Sequence, residues 1–211
     1  MAVIVLVCKH SFGQSPIPFK FTSDDDNRLV KENDSVKMYR ATDDTGSLVS
    51  INEEASYYKL LTKSRKVLAE GAFVADGDKF LQEGKWVQYF ENGKIMLSGN
   101  YKRSKAIGTW EEYYANGKLR TVSNYGGVVD KDGLSTCLSG SYQEYYNSGR
   151  LKLNGFYAAE RRKVSDTMEV EDPVTGSKVY KVVSLSVYKP VKAGTWEYYT
   201  ESGELDKKED H

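Results

Sequence analysis

Apolar and polar residues alternate from Gly84 to Tyr125, and the pattern occurs twice in succession. The first stretch reads GKWVQYFENGKIMLSGNY and the second reads GTWEEYYANGKLRTVSNY, so that Trp86 recurs 24 residues later as Trp110. Alternation is typical of β-strands, whose successive side chains point to opposite faces. A fixed offset of this length indicates one supersecondary unit copied along the chain.

An Asn-Gly pair at the centre of the first two units predicts that each unit is a β-hairpin. Asn92-Gly93 is expected to form a two-residue type I′ turn, in which both residues have positive φ. The pairs that follow by counting are Phe90–Ile95, Trp86–Gly99, Gly84–Tyr101, Trp110–Ser123, Gly108–Tyr125, Tyr142–Gly155 and Gly140–Tyr157. A large aromatic ring therefore faces Gly or Ser in each unit, where it fills the missing side-chain volume.

This register sorts the side chains onto two sides of the predicted sheet. The side expected to form the core carries Trp86, Phe90, Ile95, Leu97, Gly99, Tyr101, Trp110, Tyr114, Leu119, Tyr125, Tyr142, Gly155, Tyr157 and Trp196. The other side carries a row of tyrosines, which are Tyr89, Tyr113, Tyr145 and Tyr199. There Tyr113 is expected to face Arg120 and Tyr145 to face Lys152, pairs that allow ring–cation contacts. This set is a candidate partner-binding surface, unless the inserted hairpin or a neighbouring sheet covers it.

Around the two clear units, the chain divides into further segments. Residues 57–205 form the predicted repeat region, in which Tyr57 to Val74 is a degenerate first unit and residues 158–193 are an insertion that is expected to be a long hairpin. Residues 14–56 are predicted to contain N-terminal strands, including a hairpin between Ser35 and Ile51. The polar tail, residues 206–211, is expected to fray.

The first residues leave two alternatives open. Ala2 to Cys8 reads AVIVLVC, which matches the short end of a signal-peptide apolar region, and Ser11-Phe12-Gly13 fits a cleavage site that would leave residues 1–13 as the leader. The alternative is an ordinary β-branched strand, because the basic residues that open a signal peptide are missing. Seven apolar residues are too few to span a bilayer, so no transmembrane span is predicted.

Charge and chemistry narrow the function classes. Lys and Arg number 30 and so do Asp and Glu, which argues against a nucleic-acid partner because phosphate binding usually needs a basic excess. The two histidines, His10 and His211, lie beside the termini, so the body of the chain lacks the usual general base and zinc ligand. Glu111 and Glu112 are neighbours in a strand and point to opposite faces. We therefore expect no enzyme activity, no cofactor and no metal site.

The repeated residues resemble a known family. The pattern G-x-W-x-x-Y-x-x-x-G-K/R, ending in x-G-x-Y, is similar to the MORN repeat variant found in YwqK-type antitoxin-component proteins. It fits the two stretches above and GSYQEYYNSGRLKLNGFY, and it fits GTWEYYTESGEL in part. The departures are Tyr142 in place of Trp, Ser123 in place of the strand Gly, Arg150 and Glu204 in place of Lys, and a link KRSKAI without a second Asn-Gly.

The resemblance implies an all-β fold, an elongated and curved antiparallel meander of hairpins, without catalytic residues. It implies an interaction or scaffold module with an unidentified protein partner, and some relatives with signal peptides belong to bacterial envelopes. The sequence thus predicts a non-catalytic repeat protein that is secreted or associated with the cell envelope. The alternatives are a cytoplasmic antitoxin-like protein that neutralises a toxin, and a cell-wall glycan-binding module that uses aromatic platforms.

Overall fold

In a computed structural model, the described residues form a single antiparallel meander of thirteen strands. The structure describes residues 29–32, 35–40, 47–77, 79–130, 133–171 and 176–211. The predicted leader and the first third of the segment 14–56 lie outside these residues. Every strand pairs with its neighbours in sequence order, and the sheet stays open. The all-β hairpin architecture predicted from the sequence is confirmed.

The strands follow the expected units. They are β1 (Leu29–Glu32), β2 (Val36–Arg40), β3 (Leu48–Asn52), β4 (Tyr57–Leu61), β5 (Val67–Asp76), β6 (Lys79–Tyr89), β7 (Ile95–Lys102), β8 (Lys105–Tyr113), β9 (Leu119–Asp130), β10 (Gly133–Tyr145), β11 (Leu151–Glu171), β12 (Lys178–Tyr199) and β13 (Leu205–Asp210). β2 and β3 form the predicted N-terminal hairpin. Between the second and third units, residues 126–130 and 133–137 pair with each other and so lengthen β9 and β10.

The tryptophan side of the sheet holds an aromatic spine. Trp86, Tyr101 and Trp110 are 5%, 5% and 6% exposed, and Trp196 is 1% exposed. Neighbouring rings meet edge-on, with centroids 4.8 Å apart between Tyr101 and Trp110 and 4.9 Å apart between Tyr157 and Trp196. Rings that lie across the strands exclude water from a single sheet layer, so the repeats bury a core without a second layer.

Each tryptophan covers a glycine, but not the glycine that counting within its own hairpin indicates. The expected pair Trp86–Gly99 is confirmed as a backbone pair. A Cβ at Gly99, however, would lie 2.1 Å from the Trp110 ring, and one at Gly71 would lie 2.4 Å from the Trp86 ring. Each indole therefore lies over the last strand of the preceding unit, which makes the aromatic–glycine contact the joint between repeats.

Two of the departures from the motif, Ser123 and Tyr142, form one such joint. Ser123 lies opposite Tyr142 in the sheet. At this joint the ring is smaller and the partner has a side chain, whereas Trp110 and Trp196 lie over Gly99 and Gly155. Tyr142 is 7% exposed, so the smaller ring is buried as well. The larger tryptophan ring thus lies over glycine, and the smaller tyrosine ring lies over serine.

The glycine that opens each unit has a different role from the one predicted. No heavy atom lies within 4 Å of a Cβ built on Gly84 or Gly108, so the facing tyrosine does not cover it. Both have positive φ, +63° and +65°, and both lie where the register between neighbouring units shifts. Glycine recurs there because a left-handed conformation is accessible to it without steric cost, which permits the bulge.

The Asn-Gly turns differ from the predicted type. Gly93 has φ +81°, whereas Asn92 does not have a positive φ. The Gly93 N–H donates to the Phe90 carbonyl (2.9 Å) and the Phe90 N–H donates to the Lys94 carbonyl (2.8 Å). This is a three-residue loop, a type I turn followed by a glycine bulge. The prediction of a type I′ turn is wrong.

A second bulge restores the register beyond each turn. Tyr89 pairs with Ile95, and Gln88 pairs with Leu97. The predicted pair Phe90–Ile95 is therefore wrong, and Ile95 is 40% exposed rather than in the core. The pairs further from the turn are those predicted by counting, because the extra residue of the turn and the extra residue of the bulge cancel.

A two-residue turn with positive φ at both positions occurs where the sequence lacks Asn-Gly. Arg103 and Ser104 have φ of +49° and +61°. Contacts with the adjacent hairpin hold them, since the Arg103 N–H donates to a Glu83 carboxylate (2.7 Å) and the Arg103 guanidinium bonds Asp76 (2.7 Å). The link KRSKAI thus continues the meander.

The hairpin loops are tied to one another along one edge of the sheet. The Lys94 ammonium donates to the Asn116 carbonyl (2.6 Å), and the Lys118 ammonium donates to the Ser148 carbonyl (2.6 Å). Arg150 continues the series with the Glu201 carbonyl (2.8 Å). The recurrent cation after the glycine is therefore a link between repeats. Glu204 occupies the equivalent position in the last described hairpin.

The insertion is the long hairpin that the sequence predicts. β11 and β12 pair without a break from Phe156↔Ala193 to Glu171↔Lys178. We call Ala158–Glu171 together with Lys178–Val191 the arm. Fourteen residues of strand extend about 45 Å. The predicted turn at 172–177 lies mostly outside the described residues.

The predicted fraying of the last residues is wrong. Leu205–Asp210 form β13, in which Glu209 pairs with Trp196. The Tyr198 hydroxyl donates to Glu209 (2.7 Å), and the Lys207 ammonium also bonds it (2.8 Å). Hydrogen bonds from Lys207 and Tyr198 lower the pKa of Glu209 to about 2. A charged strand that is held in this way covers the last tryptophan.

Candidate functional site

The four tyrosines of the predicted row lie on the side of the sheet opposite the tryptophans. Each ring is half-buried. Each tyrosine lies at the end of the strand that leads into the turn of its hairpin. Equivalent strands are two positions apart in the sheet, which spaces the rings by roughly 10 Å. The row crosses β6, β8, β10 and β12.

Every tyrosine hydroxyl of the row donates a hydrogen bond to a side-chain oxygen on the same face of the sheet. Tyr113 donates to Glu111 (2.8 Å) and Tyr199 donates to Glu197 (2.8 Å). Tyr145 donates to the Gln143 side-chain oxygen (3.1 Å). In these three cases the acceptor lies two residues earlier on the same strand, so the ring leans along the strand.

The first tyrosine uses a neighbouring strand instead. Val87 occupies the position two residues before Tyr89 and cannot accept a hydrogen bond, and the Tyr89 hydroxyl donates to Glu70 (2.7 Å). Glu70 pairs with Val87 across the sheet, so the acceptor stays in the same line. Burial and the hydrogen bond to Glu70 raise the pKa of Tyr89 to about 12.

Carboxylates of the row are matched by lysines at its two ends. Lys59 lies 3.2 Å from Glu70, and Lys208 lies 2.6 Å from Glu197. Burial tends to raise the pKa of Glu70, but hydrogen bonds from Tyr89 and Lys59 outweigh it and lower the pKa. Within the described chain, Glu111 at the centre has no cation within 4 Å. The middle of the face therefore carries an unbalanced negative charge.

The two predicted cations of the surface are not beside Tyr113 and Tyr145. Tyr113 pairs with Leu119 and Tyr145 pairs with Leu151, so the expected facing pairs are wrong. The bulge after each turn brings Arg120 to Glu112 (3.0 Å) and Lys152 to Glu144 (2.6 Å), residues that share the tryptophan side. The ring–cation contacts are made there.

The rings that receive these cations are the tyrosines after the predicted ones. Arg120 lies 5.8 Å from the centroid of Tyr114, and Lys152 lies 5.9 Å from that of Tyr146. The hydroxyls of these two rings donate to the carbonyls of Tyr145 (2.7 Å) and Tyr199 (2.8 Å) in the next unit. Arg120 and Lys152 therefore belong to the contacts that hold repeats together, and the tyrosine face consists of the four predicted tyrosines with their acceptors.

Ile95 and Leu119 were predicted in the core but pair with Tyr89 and Tyr113, so they lie on the tyrosine side and that part of the prediction is wrong. The residues predicted as the aromatic and glycine core of the repeats lie on the tryptophan side. Trp86, Tyr101, Trp110, Tyr142 and Trp196 are buried, and so are Gly99 and Gly155. Tyr125 and Tyr157 are half-buried. With all three tryptophans at 6% exposure or less, the indoles are not available as sugar platforms.

A shallow depression adjoins the first tyrosine of the row. It encloses about 450 Å³ and is lined by Lys66, Glu70, Tyr89 and the turn at Phe90 to Gly93. Within the described ranges, no three His, Cys, Asp or Glu residues are grouped to bind a metal. The described part of the chain also has no helix that is long and apolar enough to cross a membrane.

The hairpin geometry agrees with one family comparison. Residues 82–103 and 107–125 match the MORN repeat variant. Both matches are hairpins that contribute to the aromatic spine, β6–β7 and β8–β9, so the MORN-type unit coincides with the structural repeat. No curated protein and no solved structure matched the chain. MORN-type repeats generally serve as interaction modules, and the chain contains two that the family comparison recognises.

Two parts of this site were not predicted. The line of acceptors is visible in the sequence as Glu111, Gln143 and Glu197, each two residues before a tyrosine. Val87 interrupts that signal in the first unit, and Glu70 replaces it only through strand pairing. The ties made by Lys94 and Lys118 could be anticipated from the repeated Asn-Gly-Lys, but their acceptors in the next turn require the spacing of the hairpins.

Proposed function

We propose that this chain is a non-catalytic repeat scaffold that binds a protein partner on the tyrosine face. The observation that carries the proposal is the regular row of tyrosines whose hydroxyls are all fixed by acceptors. Rings held in place lose little conformational entropy when a partner covers them. Tyrosine also supplies large contact area for few rotatable bonds, which is why it is common at interfaces.

The charge of the face indicates the chemistry of the partner. Glu111 lies at the centre without a neighbouring cation in the described chain, while Glu70 and Glu197 are paired with lysines. A partner that fits would bring apolar or aromatic groups over the rings and an arginine or lysine over Glu111. Electrostatic matching of this kind favours specificity and the rate of association.

The arrangement of carboxylates supports a role without catalysis. Glu111 accepts a hydrogen bond from Tyr113, and Glu112 is paired with Arg120 on the tryptophan side. Two carboxylates on opposite sides of one strand cannot act on one substrate. Both side chains contribute to holding rings and strands in place.

Site-specific photo-crosslinking tests the proposal. Benzoylphenylalanine in place of Tyr113 should capture a discrete partner in cells of the native organism, whereas the same residue in place of Lys105, an exposed position outside the row, should not. Tyr113→Ser with Tyr145→Ser should abolish capture through benzoylphenylalanine at Tyr199, and the two Tyr→Phe substitutions should retain it. Equal capture at Tyr113 and Lys105 would contradict a specific face.

We further propose that the protein acts outside the cytoplasm, in the cell envelope or as a secreted protein. The support is the apolar run Ala2 to Cys8 with the small residues at Ser11 and Gly13. N-terminal sequencing of the native protein tests this, and Gln14 is the expected first residue. A first residue of Met1 or Ala2 would favour the cytoplasmic alternative, an antitoxin-like protein.

A further inference from the structure

The arm exposes strand edges that the rest of the described sheet does not cover. β10 pairs with β11 only as far as Tyr157, and β13 pairs with β12 only from Thr195 onward. Between these points, β11 and β12 pair with each other and with no other described strand. A two-stranded ribbon is marginally stable in water by itself. The arm is therefore an element that gains from a further strand.

The two edges of the arm differ in their tendency to pair. Near the base of the arm, β11 carries Glu160, Arg161, Arg162 and Lys163 in succession, and such charges protect an edge against other strands. From Val179 to Tyr188, β12 reads VYKVVSLSVY, with one charged residue and high β-propensity. Within the arm, its register with β11 has no bulge. The β12 edge is thus regular, almost uncharged and open.

With Ser184 on a twofold axis, the β12 sequence places Tyr180 opposite Tyr188 and Val183 opposite Leu185. We propose that this edge binds the same edge of a second copy of the chain, antiparallel, with the twofold axis at Ser184. The facing residues are then Tyr180–Tyr188, Lys181–Val187, Val182–Ser186, Val183–Leu185, Val179–Lys189 and Lys178–Pro190. The interface is self-complementary, as a twofold contact between identical strands requires.

Charge and the tyrosine pair favour this register over the two neighbouring ones. With the axis at Ser184, no lysine lies directly opposite another lysine. An axis at Leu185 would place Lys181 opposite Lys189, and directly opposed like charges destabilise a strand pair. An axis at Val183 would place Tyr180 opposite Ser186, and the paired tyrosines would be lost. Pro190, which has no N–H, lies at the end of the proposed ladder, where a missing donor costs least.

The exposure of the arm agrees with a partner on this edge. Tyr180 is 70% exposed and Val182 is 75% exposed, and Ser184 is exposed on the same side of the strand. Pairing would create a four-stranded sheet in which Tyr180 and Tyr188 of the two copies meet across the axis. Aromatic cross-strand pairs stabilise sheets, and backbone hydrogen bonds supply the affinity of an added strand. The inference uses no residue of the tyrosine face and does not rest on the proposed function.

Cysteine cross-linking tests the axis in the full chain with Cys8→Ser. Only a residue on the axis meets its own copy, at a Cα separation of about 4.5–5.5 Å, which suits a disulfide. Ser184→Cys should therefore give a covalent dimer under mild oxidation. Val182→Cys is the matched control, because its copies would lie roughly 13 Å apart along the strands. Cys137 is buried and should not interfere.

Charge substitutions test the facing pair Val182–Ser186 by sedimentation velocity over a concentration series. The unmodified chain should dimerise as its concentration rises. Val182→Lys with Ser186→Lys should abolish the dimer, because two lysine pairs are opposed, and Val182→Lys with Ser186→Glu should restore it. A chain that is monomeric throughout, as it would be if residues 1–28 covered the edge, would overturn the proposal. Equal cross-linking of both cysteine variants, or failure of the Lys–Glu variant to dimerise, would also overturn it.

Discussion

The repeat hairpins and the arm use the same antiparallel pairing but stabilise it differently. In the repeats, register shifts occur at every turn and at every junction, and aromatic rings lie over glycines between units. In the arm, fourteen pairs follow one another without a shift, and large apolar residues such as Tyr180 and Val182 remain exposed. The repeats are bent and protected by their own side chains, whereas the arm is regular and unprotected.

This difference shows how a single layer of sheet can be stable. A flat two-stranded ribbon buries little apolar surface, so its stability must come from additional strands. The repeats avoid this need because each tryptophan covers the backbone of the unit before it, and each turn cation bonds the turn after it. Stability in the repeats is therefore a property of the joints, as in other repeat proteins.

Gly99→Ser should give the largest effect, because it places a side chain within the Trp110 ring. Overpacking of a buried site costs about 2–3 kcal/mol of unfolding free energy. Val182→Ser in the arm, at a dilution where no second strand is bound, should change stability by less than about 0.5 kcal/mol, as at other exposed sites. Urea unfolding monitored by tryptophan fluorescence measures both.

A second substitution at the same joint should restore part of the lost stability. Gly99→Ser with Trp110→Tyr reproduces the natural pair Ser123–Tyr142, and it should recover part of the stability that Gly99→Ser loses. If the double variant is as unstable as the sum of the two single variants, ring size and partner size are not coupled.

Replacing tryptophans by phenylalanine should separate joints that look alike in sequence. The indole N–H of Trp86 donates to the Ala72 carbonyl (2.7 Å) and that of Trp196 donates to the Phe156 carbonyl (3.2 Å). In the described structure the buried indole N–H of Trp110 has no acceptor. Trp110→Phe should therefore cost about 1 kcal/mol less than Trp86→Phe, by the value of one hydrogen bond. Equal losses in thermal unfolding would indicate that Trp110 has a partner in solution.

Removing a hydrogen bond between neighbouring turns should have the smallest effect on stability. Lys118→Met removes the bond to the Ser148 carbonyl and should lower the unfolding free energy by about 0.5–1 kcal/mol, since the site is exposed. Glu204→Met is the matched control at the equivalent position of the last unit, where no described turn follows, and it should be neutral. A loss at Glu204 equal to that at Lys118 would mean that the ties contribute nothing.

How far the sequence predicts this molecule depends on the distance from the turns. Trp86 opposite Gly99 was predictable, because alternation fixes which residues share a side and a slip of one residue would bury the polar set. The pair Tyr113–Leu119, found in place of the predicted Tyr113–Arg120, was not predictable, since bulges of one residue leave no mark in the hydrophobic pattern. The turn at Arg103-Ser104 could not be recognised either, because residues from another hairpin hold it.

The candidate site shows the same limit. The tyrosine row follows from the repeat alone, and its side of the sheet was placed by alternation. The acceptor of Tyr89 depends on which strand lies beside β6, information that exists only once the strands are paired. Arg120 and Lys152 were assigned to the wrong side for the reason that their strands bulge.

Hydrogen exchange read by mass spectrometry at several protein concentrations tests the central contrast most directly. Amides of β6 to β9 should exchange slowly at every concentration, because joints within the chain protect them. Amides of the arm should exchange rapidly in dilute solution and slowly as concentration rises, because their protection comes from a second strand. Arm amides that are as protected as the repeats in dilute solution would contradict this account.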